Sequence, residues 1–457
     1  MPGEVWERHI RFKLVFGEER GICMRDWALS NYAPTIMIDV HPVTISLNER
    51  TQTYTAAFQT SEQFQHGWQS VLKAAYGRAE LRCSCKGRGA KRLAVKYFEG
   101  SDIFSLARFG LSGSQHAPDC QYYSASPSQA GAGGDSSGVI DLQPDGSVKI
   151  RLEIAMHERG EIAAPAGREK KPSERAPSAK QSSMKLLGLL QYLWEEAGLN
   201  QWKAAFTGKR RASLSYWWVN NAADNVWAGQ VKLVDQLLLP AFGAETREAE
   251  RNRMRATASL QDKHRMLVIA PLAAFSQEQS DAMAKRLKIG GFHGMPIAFM
   301  QGGLWESTVR RFPTAVSAWR GGHGTVAIAQ VELKQGAKGV YAAVIDMALM
   351  SITAEFIPVE SSYERVVADK LVEQGRSFLK PMRYDAGADL VLPDFILTDT
   401  RKEIPMEVFG RDDAEYLRRK EEKRAYYDER YGRDGWWSWD AYANGAAASV
   451  PQFPVRA

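Results

Sequence analysis

The chain has 457 residues, 44% hydrophobic and 25% charged, with a formal net charge of +6, ordinary values for two or three globular domains. No apolar run reaches the ~18–20 residues of a membrane span, and residues 1–26 lack the apolar core of a signal peptide. A cytoplasmic protein without a membrane partner is expected, and the mild positive charge is compatible with a nucleic-acid partner.

Residues 1–123 read as an α+β module. Ile10–Phe16 and Thr35–Leu47 are strand-like, and Ser61–Tyr76 has the spacing of an amphipathic helix. Leu81–Tyr97 and Ile103–Phe109 follow as short strands around cysteines. Residues 124–183 read as a linker, Ser/Gly/Ala-rich over 124–138 and Pro/Lys/Glu-rich over 160–183, too poor in apolar residues to fold alone. Inside it, Val139–Leu142 and Val148–Ile154 flank the turn signal Pro144-Asp145-Gly146 and predict a small hairpin.

Residues 184–260 read as a helical, winged-helix-like module. Leu186, Leu187, Leu190, Leu193 and Trp194 set a helix over Met184–Ala197, and Trp202–Phe206 and Val231–Leu239 are expected to be helices too. Residues 261–360 mix strands and helices, with buried strands at Met266–Ala270 and Met295–Met300. Val326–Leu333 and Val340–Ile352 predict a hairpin across Lys334–Gly339. Residues 361–432 run helix (Tyr363–Phe378), strand (Leu390–Thr398), strand (Pro405–Phe409), helix (Ala414–Tyr427). The tail, 433–457, carries Trp436, Trp437 and Trp439 but is otherwise rich in Ala, Pro and Gly, and is expected to be loosely held.

Two groups of residues carry chemistry. Cys83-Ser84-Cys85 and His116-x-x-x-Cys120 form a Cys3His set, the ligand complement of a closed, structural Zn²⁺ site. The alternative is three buried cysteines and a surface histidine brought together by chance. Cys23 is left over as a core residue. The second group is Asp394 and Glu407, one on each of the last two strands. Strand alternation puts Asp394, Ile396 and Thr398 on one face, and Glu407 with Phe409 on one face of the next strand. Two carboxylates converging at a sheet edge repel unless a cation such as Mg²⁺ sits between them. The following helix, with Asp412 or Asp413 as N-cap, carries Tyr416, Lys420, Lys423 and Tyr427 on one face, so Lys420 or Lys423 can reach the carboxylates. Alternatively, Asp394 only opens a strand after Pro393, and Glu407 forms a structural ion pair with Arg418 or Lys420.

The order helix, Pro-Asp strand, Glu strand, helix resembles the PD-(D/E)xK nuclease superfamily over about 65 residues. The resemblance implies a restriction-endonuclease-like α/β core, with Asp394 and Glu407 as metal ligands and Glu364 or Glu373 joining from the first helix. It departs at Phe409, where the superfamily pattern has a lysine, so the lysine would come from the following helix. The whole chain is also similar to the bacterial domain-of-unknown-function 1173 family. The shared features are Cys83-x-Cys85, His116-x-x-x-Cys120, Gly375-Arg376-x-Phe378-x-Lys380-Pro381, Leu392-Pro393-Asp394-Phe395 and Met406-Glu407-Val408-Phe409-Gly410. That resemblance implies a setting on integrative and conjugative elements. The expectation is a zinc-containing, Mg²⁺-dependent DNA endonuclease or DNA-processing protein. The alternative is a non-catalytic, zinc-containing DNA-binding or assembly protein.

Overall fold

Alternating apolar residues build the first sheet. In Val43–Leu47 (β1) Val43 and Ile45 are buried while their neighbours are less so, as a half-buried strand requires. The computed structural model describes residues 40–48, 50–98, 103–109, 112–117, 120–123, 139–143, 147–157, 183–382, 392–411, 413–443, 446–447 and 449–456. Cys23, the strand expected at Ile10–Phe16, the turn Pro144-Asp145-Gly146 and most of the two linker stretches lie outside them. β1 is followed by Arg50–Tyr54 (β2), the short helix Ala56–Thr60 (α1), Gln65–Ala75 (α2), Glu80–Cys83 (β3), Arg92–Phe98 (β4) and Ile103–Arg108 (β5). The antiparallel sheet has the order β2-β1-β3-β4-β5. α2 lays Trp68, Leu72 and Ala75, spaced one helical turn apart, on Val43, Ile45 and Leu81.

Ile140–Leu142 (β6) and Val148–Ile150 (β7) form the expected hairpin, but it is not free-standing: β7 pairs in parallel with Val226–Ala228 (β9). Leu186–Glu196 (α3) is buried nearly all round. Two of the expected helices are corrected. Gln201–Trp202 is a strand (β8) followed by one 3₁₀ turn. Val231–Leu239 divides into Val231–Lys232 (β10), a 3₁₀ turn and Leu237–Leu238 (β11). Apart from Lys232 and Asp235 the run Val231–Leu239 is buried, and so nearly continuous a burial leaves no clear periodicity to separate helix from strand. The helix lies instead over Ala212–Ala223 (α4), where Ser215, Tyr216, Val219, Asn220 and Ala223 share its buried face.

Arg247–Asp262 (α5), capped by the Thr246 side chain, leads to a five-stranded sheet. Its strands and covering helices are Met266–Pro271 (β12), Gln277–Met283 (α6), Ile297–Met300 (β13), Leu304–Arg311 (α7), Pro313–Arg320 (α8), Thr325–Gly336 (β14) and Gly339–Ser351 (β15), in the order β11-β12-β14-β15-β13. Both faces are buried. Leu267, Ile269, Val326 and Ile328 face a core shared with α3 and α4. Met266, Val268, Ala270, Ala327 and Ala329 face a second core under α7 and α8. That explains the unbroken apolar run of β12.

The last sheet runs in the order Trp437–Asp440 (β19), Ile404–Phe409 (β18), Phe395–Leu397 (β17), Phe378–Leu379 (β16) and β8. Ser362–Glu373 (α9) ends at Gly375, whose φ of +62° a side chain tolerates poorly, so Phe378 belongs to Phe378–Leu379 (β16) and not to the helix. Phe395–Leu397 (β17), Ile404–Phe409 (β18) and Ala414–Tyr431 (α10) follow. The tail is corrected as well. Trp437–Asp440 (β19) pairs in parallel with β18, and Trp437, Trp439 and Phe453 are buried in its core. Together the described residues form a mixed α+β protein with ten α-helices.

Candidate functional site

Cys83 ends β3 and Cys85 lies in the turn that follows. His116 and Cys120 come from the turn beyond β5, and all four are buried. Their ligand atoms lie within 4.8 Å of one another. A tetrahedral zinc ion, with Zn–S about 2.3 Å and Zn–N about 2.0–2.1 Å, places two sulfurs about 3.8 Å apart and a sulfur and nitrogen about 3.5–3.6 Å apart. Here Cys83 Sγ and Cys120 Sγ are 3.7 Å apart, and His116 Nδ1 is 3.6 Å from both Cys85 Sγ and Cys120 Sγ. The donor set therefore fits zinc in chemistry and in edge length. Backbone N–H groups of Ala117 and Tyr122 donate to Cys85 and Cys120, as thiolate ligands favour. The Cys83–Cys120 hydrogen bond draws the Cys83 thiol down to about 4 and pushes Cys120 up. Gly87 lets the two loops close: a Cβ there would sit 2.2 Å from the Gln115 carbonyl oxygen. The four buried residues could hold a metal ion such as zinc, with every tetrahedral position supplied by protein.

The second site is built on β17 and β18. Their register runs Phe395 to Met406, Ile396 to Pro405, Leu397 to Ile404. Alternation does not reach Asp394, which bends just outside β17. Its N–H donates to the Met406 carbonyl, and its Oδ2 accepts from the Val408 N–H at 2.7 Å. Asp394 is thus clamped to the backbone on both sides of Glu407. Met406 and Val408 face the α9 side of the sheet, so Glu407 faces α10. There it accepts two hydrogen bonds from Lys423 Nζ, at 3.1 and 3.0 Å, and one from the Tyr427 hydroxyl at 2.8 Å. Burial pushes the Glu407 carboxyl up to about 7. The Asp394 charge adds to the rise, and Lys423 and Tyr427 oppose it.

On the other face, Glu364 in the first turn of α9 is buried. Its Oε2 accepts from Lys380 Nζ at 2.8 Å and from the Glu360 N–H at 2.9 Å. Burial pushes Glu364 up to about 7 as well, and Asp394 again adds to the rise against Lys380. Two acids from opposite faces of the sheet therefore both feel Asp394.

The candidate lysines separate. Lys423 meets Glu407, whereas Lys420 meets Asp440 at 2.5 Å and lies over the Phe409 ring. Arg424 also binds Asp440, at 2.8 Å, and Arg418 pairs with Glu422 on its own helix, away from Glu407. Glu373 is exposed at the far end of α9, about 13 Å along the axis from Glu364, and is not brought to the cluster. Asp413 is the α10 cap.

Sequence reasoning assigned no role to Lys380, Asp399, Asp440 or Arg376. The signal was present in the segment Gly375 to Pro381. Gly375 ends α9, Arg376 forms a two-pronged ion pair with buried Asp399 at 2.9 and 2.8 Å, Phe378 packs in the core, and Lys380 holds Glu364. Gly410 is likewise required, because a Cβ there would meet the Tyr363 ring at 2.5 Å.

Asp394 and Glu407 are the donors expected for Mg²⁺, and both are engaged within the protein, Asp394 Oδ2 by the Val408 N–H and Glu407 by Lys423 and Tyr427. Asp394 and Glu407 offer hard oxygens, and one or two carboxylates are what such an ion takes from a protein. Among the described residues no three carboxylates lie close enough together to form a further metal cluster. No helix of the described residues is long and apolar enough to cross a membrane.

No curated protein matches the chain, and no solved structure matches it. A family model described as Protein of unknown function (DUF1173) matches residues 54–441, which takes in both clusters. The match spans most of the chain, and the protein belongs to that family.

Proposed function

We propose that the protein is a metal-dependent DNA endonuclease or related DNA-processing protein of a bacterial mobile element. The observation that carries this reading is a lysine joined to a buried glutamate beside a clamped aspartate: Lys423 on Glu407, next to Asp394. Asp394 and Glu407 would hold Mg²⁺, which when bound supplies Lewis-acid stabilisation of a phosphoryl oxygen and a more acidic water. Lys423 has side-chain exposure of 31%, so its ammonium can turn from Glu407 to an incoming phosphate. Lys380, at 4% side-chain exposure, cannot, and acts by fixing Glu364. The Cys3His module would be structural, and with the middle helices would help to dock DNA.

The test is nicking of supercoiled DNA with Mg²⁺ or Mn²⁺. Glu407→Ala and Lys423→Ala should each slow it at least about 100-fold, the scale of losing one preorganised charge at a reacting centre. Lys420→Ala should change it little. Equal rates for wild type and Glu407→Ala would sink the reading.

One observation favours a second reading. Both Glu407 oxygens are already bonded within the protein, and the residue is 1% exposed. A non-catalytic, zinc-containing DNA-binding or assembly protein has that property. In that case DNA retention falls steeply with salt, no nicking occurs with either metal, and Asp394→Ala leaves retention unchanged.

A further inference from the structure

A cleft of about 510 Å³ lies between the N-terminal sheet and helices α3 and α4, and Glu407 does not line it. Its lining holds four cationic side chains, Lys96, Arg108, Lys203 and Arg210, against one acidic side chain, Glu196. Tyr122, Phe206, Trp217 and Trp218 add aromatic surface. The volume is that of a small-ligand pocket, for which roughly 300–1,000 Å³ is usual.

Two of these cations, Lys96 and Arg210, are hydrogen-bonded to backbone carbonyls. Arg108 pairs with Glu196 at 3.1 Å, but its Nε is buried without a hydrogen-bond partner. The Arg210 guanidinium donates to the backbone carbonyls of Leu199, Glu355, Gly198 and Gln201, and its Nε too is unpartnered. Lys96 Nζ donates to the Asn221 carbonyl at 2.7 Å, while Asn221 Oδ1 is a buried acceptor without a donor. Burial lowers Lys96 to about 8 against the pull of Asp224 and Glu196, and Arg210 to about 9 against Glu355, whereas burial of Arg108 is outweighed by Glu196 and Glu195, which raise it. An anion in the cleft would relieve that cost. A planar heteroaromatic group on the same ligand would use the tryptophans, of which Trp217 is 42% exposed.

We propose that this cleft binds a nucleotide, its phosphate met by the cationic lining and its base by Trp217 and Trp218. The nucleotide is either free or one unit of a single strand. The proposal does not depend on the chemistry at Glu407. Its test therefore uses full-length Glu407→Ala chain in magnesium-free buffer, so that cleavage cannot consume the probe. Thymidine 5′-monophosphate, a short oligothymidylate and inorganic phosphate are titrated against tryptophan fluorescence. Quenching by the monophosphate identifies a free-nucleotide site. Quenching by the oligomer alone identifies a strand site. Trp217→Ala should weaken binding about tenfold, as loss of one stacked base does, and Trp217→Phe should restore most of it. Lys96→Met should weaken it by a similar factor; if that variant fails to fold, the Trp217 pair decides. The proposal is overturned if neither nucleotide probe binds, if both variants bind like the parent, or if inorganic phosphate binds as tightly as the nucleotide.

Discussion

At the scale of single residues, three sites respond differently to pH and substitution. Glu364 and Glu407 are both raised by burial from an ordinary glutamate value to about 7. Groups raised in the folded state bind more protons there than in the unfolded chain, so their contribution is full below the unfolded value, about 4.5, and is lost as pH rises through 7. The thermal midpoint of protein prepared without magnesium should therefore fall between pH 5 and about 7.5. Glu407→Gln should flatten that fall, removing on the order of 3 kcal/mol of pH-dependent stability. An unchanged slope in the variant would show that Glu407 titrates normally. Asp399 behaves oppositely. Burial acts to raise it, but the hydrogen bonds from Arg376 and Ser377 outweigh burial and hold it below the usual aspartate value. Its contribution is present above about pH 4 and lost as pH falls. Asp399→Ala strands the Arg376 guanidinium, 7% exposed, and should cost about 3–5 kcal/mol, measured as denaturant-induced unfolding at pH 7. Beside the Cys3His cluster, Gly87→Ala forces a methyl against backbone and should cost about 1–3 kcal/mol, and if the cluster holds zinc the variant should lose it more readily to a competing chelator.

At the scale of elements, β19 protects an edge. It pairs with β18 along the strand that carries Glu407, and places Trp437 and Trp439 in the core under α9. Its Asp440 also binds Lys420 and Arg424, so it fixes how α10 lies on the sheet. Truncation after Gly432 should expose the β18 edge, lower the thermal midpoint by at least several degrees and favour aggregation in size-exclusion chromatography. A truncated chain as stable as the full one would mean that β19 does not hold β18. Elements with strong internal pattern, such as α2, β12, β14 and β15, were legible from spacing alone. Those set by their neighbours were not. β8 is two residues long and exists because β16 lies beside it, and α4 hides Tyr216 against Phe356 and Trp194 of α3.

At the scale of the molecule, the zinc-type module is tied to the rest of the chain by polar contacts. Arg108 pairs with Glu196 of α3, Lys96 binds the Asn221 carbonyl, and Tyr123 donates to Glu403 beside β18 at 3.1 Å. Stripping the metal should unfold the 80–123 region and loosen these contacts, seen as a lower first thermal transition that zinc restores. A chelator without effect would remove zinc from the account. The sequence by itself determined the two pairs of the Cys3His cluster, because Cys-x-Cys and His-x-x-x-Cys are local spacings, and the fold brings the pairs together. It also placed Glu407 on a strand and showed Phe409 where the nuclease pattern would have a lysine, while Asp394, expected on the preceding strand, bends just outside it. Only the tertiary structure decided that Lys423 and not Lys420 meets Glu407, that Glu364 is the acid near Asp394 while Glu373 is remote, and that Lys380 and Asp399 serve the same sheet. A helix face seen in sequence fixes which side chains point together. The rotation and slide of that helix on its sheet are set by packing against β19 and the tryptophans, which no local spacing encodes.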